Sequence, residues 1–234
     1  MATDSSKGSY VATDVFCESF FAKVDFGDYG WSPLREYPAF TEIIQQDTPA
    51  RAVYFIEYGL VKLSRMDTLG HEVIAGLRRR NWIIGAPAVF LGKKYSFTAT
   101  SLIDCKFRDI SSERFLSLIE TNPEFSRHML RMFSHEIFNY GKAFFNLACL
   151  PAIDRLKRLL YEIMVEIKQP LGVKDKVNLI FPLKHKELAQ MVAVTPEHLS
   201  RLLKQLERDG IIKREKGLLV MNNSQSLIQE CGIQ

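Results

Sequence analysis

Hydrophobic and polar positions change period along the chain. Between Ser32 and Ser111 the apolar residues come in short alternating runs separated by turn residues. VYFIEYGLVKLSRM alternates around Gly59, EVIAGL follows a turn at Gly70, and WIIGAPAVFL turns at Gly85-Ala86-Pro87. FTATSL and CKFRDI supply two more runs. Many short strands at regular spacing predict a sandwich or barrel-like roll. Residues 1–30 are aromatic-rich and irregular, with no clear period.

After Ser111 the period lengthens to that of a helix. Ser112–Ile119 reads as a short helix with Ser111 or Ser112 as N-cap. Asn122-Pro123 opens a long one, with Pro123 in the first turn, where its missing N–H costs nothing. Along it Leu130, Phe133, Ile137, Tyr140, Phe144 and Leu147 recur at alternating steps of 3 and 4 residues. That is a heptad seam suited to helix–helix pairing. The alternative is a helix packed on its own β-domain, and Met129 and Met132, which flank the seam, suit that role. Pro151 breaks the pattern as a candidate hinge. A further helix follows over Ile153–Lys168, ended by Gln169-Pro170-Leu171-Gly172.

Two short amphipathic helices come last. His185–Met191 turns Leu188 and Val192 inward. In the second helix Thr195 is a strong N-cap, Pro196 takes the first position and His198 the third. Leu199, Leu202, Leu203 and Leu206 form its buried stripe, so Glu197, Ser200, Arg201 and Lys204 share the exposed face. This layout suits a helix lying in a DNA groove while a second helix braces it. Arginine is the natural bidentate partner of guanine O6/N7, and glutamate accepts from cytosine N4. An ordinary i,i+4 surface ion pair between Glu197 and Arg201 is the competing reading. Lys184, His185, Lys186, Thr195 and Lys204 are candidate phosphate contacts. Lys213, Arg214 and Lys216 flank a hairpin turn at Gly217; phosphate contact and simple solvation are equally compatible with them.

Composition narrows the class. The 234 residues, 47% hydrophobic and 25% charged, can bury real cores in one large or two modest domains. No apolar run approaches the roughly 18–20 residues of a membrane span, and the polar N-terminus predicts no export, hence a cytoplasmic protein with no membrane partner. The net charge is +4, and between Pro182 and Gly217 eight Lys/Arg stand against five Asp/Glu, which fits a phosphate backbone. Cys17, Cys105, Cys149 and Cys231 lie far apart without CxxC spacing, so reduced thiols are expected.

The segment ELAQMVAVTPEHLSRLLKQLERDGII resembles the winged helix–turn–helix of the CRP/FNR family of bacterial transcription regulators. Upstream, VYFIEYGLVKLSRMDTLGHEVI resembles that family's β-roll, Asn122–Leu150 its dimerisation helix, and IDRLKRLLYEI the first helix of its DNA-binding domain. The resemblance implies an α+β protein. Residues 1–121 form an N-terminal β-roll sensor, double-stranded and jelly-roll-like. Residues 122–150 form a dimerisation helix and hinge, and 151–234 a C-terminal winged helix–turn–helix domain. It also implies a homodimer, double-stranded DNA and RNA polymerase as partners, and no enzymatic activity. Glu197, Ser200 and Arg201 match the E-x-x-S-R readout set of the FNR branch, which recognises TTGA-type half-sites in an inverted repeat. Pro196 stands where the cyclic-AMP-receptor branch has a further arginine. Ala193 replaces the family's usual turn glycine, at about 1 kcal/mol if that residue is left-handed. Lys184 replaces the usual Thr/Ser cap.

The family's nucleotide-binding members hold the cyclic phosphate with an arginine in R-[ST]-A and the ribose with a glutamate in G-E-[LI]. Here the corresponding pocket residues are Gly85, Ala86, Tyr95 and Ser96, with Tyr140 and Gly141 at the adenine-facing positions. Loss of a buried phosphate's arginine costs several kcal/mol, so the expected effector is unidentified, is not cyclic AMP, or is absent. Lys93 and Lys94 are a possible replacement charge. An iron–sulfur cluster needs four thiolates, typically with several close together near the N-terminus; only Cys17 lies there, so no cofactor or metal is predicted. A thiol switch, or a haem on His71, His128 or His135, stays open as an alternative within the family. Cys149 reads as a buried small residue, and Arg78-Arg79-Arg80 as solvated charge. A cupin-like enzyme is disfavoured, because no H-x-H metal-ligand strand occurs.

Overall fold

The computed structural model describes residues 29–168, 182–215 and 218–221. They fall into two compact units, one ending at Phe138 and the other starting at Asn139.

The first unit carries eight strands: β1 (Arg35–Tyr37), β2 (Glu42–Ile44), β3 (Ala52–Tyr58), β4 (Leu60–Met66), β5 (Glu72–Arg79), β6 (Trp82–Ile84), β7 (Thr98–Ser101) and β8 (Cys105–Ser111). They form two four-stranded antiparallel sheets, in the orders β1-β8-β3-β6 and β2-β7-β4-β5. Gly59 is where the chain leaves one sheet for the other. Its φ is +115°, and a Cβ there would lie 2.2 Å from the Cys105 sulfur, so only glycine fits. Alternation along β3 and β4 sends Val53, Phe55 and Val61 into a shared core with Phe107, Ile110 and Trp82.

The run WIIGAPAVFL does not continue as a strand. Gly85 turns the chain at φ +87° and Ala86–Phe90 forms a one-turn helix, α1. Pro87 explains the departure: it has no N–H for a ladder and suits a helix's first turn. Helix α2 (Ser112–Thr121) is capped by Ser111, whose hydroxyl accepts from the Arg114 N–H at 3.2 Å. Helix α3 (Pro123–Cys149) is capped by the Asn122 side chain, which accepts from the N–H groups of Glu124 and Phe125.

Helix α3 packs on its own β-domain by one face and leaves an apolar stripe exposed on another. Phe125, Met129 and Met132 are buried in the roll's core. Phe133 joins them rather than the exposed seam: half-buried, it meets the Phe90 ring edge-on, with centroids 5.7 Å apart. Leu130, Ile137, Tyr140, Phe144 and Leu147 remain 44–76% exposed, together with Phe138 and Phe145.

Two other expectations are corrected. Arg78 is buried, not solvated, because its guanidinium is ion-paired with Glu136 on α3 and lies over the Trp82 ring at 5.6 Å. Cys149, at the end of α3, is exposed.

The second unit contains α4 (Ala152–Lys168), α5 (His185–Val192), α6 (Pro196–Arg208) and the antiparallel hairpin β9 (Ile212–Glu215) and β10 (Leu218–Met221). The three helices pack on one another. Leu156, Leu159, Leu160 and Ile163 are buried, as are Leu188 and Val192 and the α6 stripe Leu199, Leu202, Leu203 and Leu206.

Candidate nucleic-acid interface

The start of α5 is held without a hydroxyl cap. Lys184 occupies the cap position, and the buried Glu187 carboxylate reaches back to accept the Lys184 N–H at 2.7 Å. This is the reciprocal half of a capping box. It leaves the side chains of Lys184, His185 and Lys186 exposed.

Helix α5 ends in a left-handed residue, and that residue is Ala193, with φ 55° and ψ 56°. The Val194 N–H bonds to the Ala189 carbonyl and the Ala193 N–H to the Gln190 carbonyl, both at 3.0 Å. This is a Schellman closure, which ordinarily selects glycine. The chain then reverses into Thr195, whose hydroxyl oxygen accepts from the His198 N–H at 3.2 Å.

Burial of the α6 leucines leaves Glu197, Arg201 and Lys204 exposed and Ser200 partly so. The Glu197 carboxyl is held below its ordinary range. Its own backbone N–H and the Thr195 hydroxyl bond to it, and the charges of Arg201 and His185 add to the effect. It is therefore an ionised, acceptor-only group at a helix N-terminus. The Ser200 hydroxyl donates to the Pro196 carbonyl at 3.1 Å and lies 3.2 Å from the His185 ring Nε2. That contact brings the beginning of α5 against the exposed face of α6, and residue spacing along one helix could not have revealed it. Lys213 is exposed on β9. The Arg214 side chain and Lys216 fall outside the described residues.

Sequence reasoning also missed Arg155, taken only as one residue of an amphipathic helix. Its guanidinium is buried and donates to Val192 O at 3.0 Å and Leu150 O at 2.7 Å. No local pattern points to a partner 37 positions away.

In the roll, Gly85, Ala86 and Tyr95 come together. A Cβ on Gly85 would sit 3.0 Å from Tyr95 Cε1, and Ala86 and Tyr95 are both buried. The Tyr95 hydroxyl donates to the Ala52 carbonyl at 2.6 Å, and burial raises its pKa. Ser96 has an exposed side chain, and its carbonyl accepts from Arg65 at 2.7 Å. Tyr140 lies on α3 beyond Phe138, in the other unit. Cys105 is buried, and its thiol is pushed up to about 12 by burial, which makes it a poor nucleophile. Cys17 and Cys231 lie outside the described residues.

A two-sheet roll, a long helix with one face on the roll, and a capped two-helix motif followed by a hairpin are the architecture of a DNA-binding regulator with a domain of the cyclic-nucleotide-binding type. Residues 34–122 match the family model of the cyclic nucleotide-binding domain and residues 154–229 that of the Crp-like helix-turn-helix domain. The chain belongs to the CRP/FNR family of transcription regulators. It is 26% identical over 180 residues to the cAMP-activated global transcriptional regulator CRP of Haemophilus influenzae, covering 76% of this chain and 79% of that protein. It is 26% identical over 184 residues to the global nitrogen regulator of a Nostoc species, covering 78% and 82%. A CRP/FNR-family transcriptional regulator from Thermus thermophilus shares the fold, with a TM-score of 0.69 at 22% identity, covering 86% of this chain and 98% of that one. These domains and relatives are those of transcription regulators, not of enzymes. Among the described residues no helix is long and apolar enough to cross a membrane.

Proposed function

We propose that the protein is a cytoplasmic homodimer that regulates transcription by binding a near-palindromic operator with TTGA-type half-sites. The observation that carries this reading is the exposed α6 face, where ionised Glu197 and Arg201 stand one turn apart beside Ser200. Arg201 pairs with guanine O6/N7, Glu197 accepts from cytosine N4, and Ser200 takes a neighbouring edge. Lys184, His185, Lys186, Thr195, Lys204, Lys213, Arg214 and Lys216 contribute phosphate contacts that set the register. Two-fold pairing along α3 places two such faces about 34 Å apart, one turn of DNA. The exposed stripe through Leu130, Ile137, Phe144 and Leu147 supports that pairing.

The roll responds to an effector other than cyclic AMP, or acts without one. Tyr95 and Ala86, at the positions that the family resemblance assigns to the groups holding the cyclic phosphate and ribose, are both buried, and the Tyr95 hydroxyl is bonded to Ala52, which supports that reading. RNA polymerase is the expected protein partner of such a regulator.

Fluorescence anisotropy on duplexes carrying a TTGA-type inverted repeat tests the reading. Arg201→Ala weakens binding by about 1–3 kcal/mol and relaxes preference at the contacted guanine. Unchanged affinity and selectivity in that variant would remove the base-readout assignment.

A further inference from the structure

We propose that Arg155 is a positioning residue that fastens the recognition helix to the end of α3, so that the geometry of the paired helices sets the spacing of the two DNA-reading faces. The inference rests on the dimeric operator reading above.

Pro151 follows the last turn of α3. In a continuing helix the Leu147 carbonyl would accept the N–H of residue 151, and proline has none. Helix α3 ends at Cys149, which leaves the carbonyls of its last turn in need of donors. Arg155, one turn into α4, supplies them: its Nη1 donates to Leu150 O at 2.7 Å and to Leu147 O at a longer 3.4 Å. The other edge of the same guanidinium turns to α5. Nε donates to Val192 O at 3.0 Å and Nη2 reaches Ala193 O at 3.5 Å. All four acceptors are carbonyls at the C-terminal ends of two helices, where the helix dipoles favour a cation. Arg155 is only 9% exposed, so water competes weakly for these donors.

The placement matters more than the strength. Val192 and Ala193 form the left-handed joint from which the chain enters Thr195, the cap of α6. One planar group therefore ties the end of α3 to the joint that aims Glu197, Ser200 and Arg201. A guanidinium can do this because its donors diverge in a fixed plane. A lysine keeps the charge but, as a point donor on a flexible stem, cannot hold both carbonyl pairs.

Arg155→Lys and Arg155→Gln in the full chain test the proposal on three fluorescent duplexes. One carries the inverted repeat at the wild type's preferred spacing, one the same repeat lengthened by a base pair at its centre, and one a single half-site. Wild type prefers the first over the second by about tenfold or more. In Arg155→Lys that preference falls below about threefold, while half-site affinity stays within about twofold and sedimentation still shows a dimer. Retention of the wild-type spacing preference by both variants overturns the proposal. A proportional loss on all three duplexes also overturns it, since that is what simple destabilisation produces. Failure of wild type to prefer the inverted repeat at all removes the operator reading, and this inference with it. A measurement on wild type guards against variants that do not fold. The Arg155 Nε–H is protected from solvent exchange by NMR in both the free and the DNA-bound protein, and rapid exchange in either overturns the proposal.

Discussion

The Tyr95 hydroxyl donates to the carbonyl oxygen of Ala52 at 2.6 Å and accepts the N–H of the same residue at 3.2 Å. Tyr95, a candidate pocket residue, is thereby committed to strand β3. Calorimetric titration with cyclic AMP is expected to give no binding in the micromolar range, and a clear tight isotherm would refute the reading of Ala86 and Tyr95. Tyr95→Phe removes both bonds and costs about 1–2 kcal/mol in urea unfolding.

The exposed stripe of α3 gives a second prediction. Ile137→Lys or Phe144→Lys puts a charge in the middle of the proposed helix pair, where an unpaired ammonium cannot be desolvated cheaply. Sedimentation velocity should show monomer at concentrations where wild type is dimeric, with operator affinity lost in parallel. Val73→Lys, at an exposed position on β5, serves as the control and leaves both unchanged. Dimers of undiminished stability in both α3 variants would move the interface elsewhere.

His128 on α3 makes stability depend on pH. Burial, with a smaller contribution from the Arg131 charge, lowers its pKa to about 4. An unfolded histidine titrates near 6.5, so across roughly pH 6.5 to 4 the unfolded chain binds a proton that the folded chain does not. The stability associated with the neutral ring is complete above about pH 6.5 and is lost as the pH falls toward 4. Urea unfolding of wild type should lose about 2 kcal/mol more than His128→Leu between about pH 7.5 and pH 5. Equal pH slopes in the two proteins would contradict this.

Arg78 and Glu136 form a pair that is stabilising only as a pair. Their side chains are 6% and 18% exposed, so either single replacement takes a close ionic partner from a largely buried charge. Arg78→Leu or Glu136→Leu should each cost about 3 kcal/mol, and the double variant should recover part of that loss. A double-mutant cycle by chemical denaturation measures the coupling, and strict additivity would show that the pair contributes nothing.

Much of the architecture follows from local pattern. Period-2 runs around Gly59 mark β3 and β4, and the leucine stripe of α6 fixes which face is exposed, because burial at 3.6-residue spacing leaves no other choice. Ser111, Asn122 and Thr195 act as caps at the positions where their side-chain oxygens reach the first free N–H groups. Ala193 takes the left-handed conformation that its place in the motif requires. After the turn at Gly85 the short apolar run folds as one helical turn and not as a strand, because a left-handed glycine and a proline outweigh it.

By itself, then, the sequence determined the elements, their faces and the family, since periodicity, caps and turn residues act within a few positions of one another. Only the tertiary structure decided which side of α3 belongs to the roll, that Arg78 is buried against Glu136, that Tyr95 is spent on Ala52, and that Arg155 joins the ends of α3 and α5. Each of these is a contact between residues far apart in the chain. Whether a charge is solvated or buried, or a ring free or committed, depends on what the fold brings within a few ångströms of it.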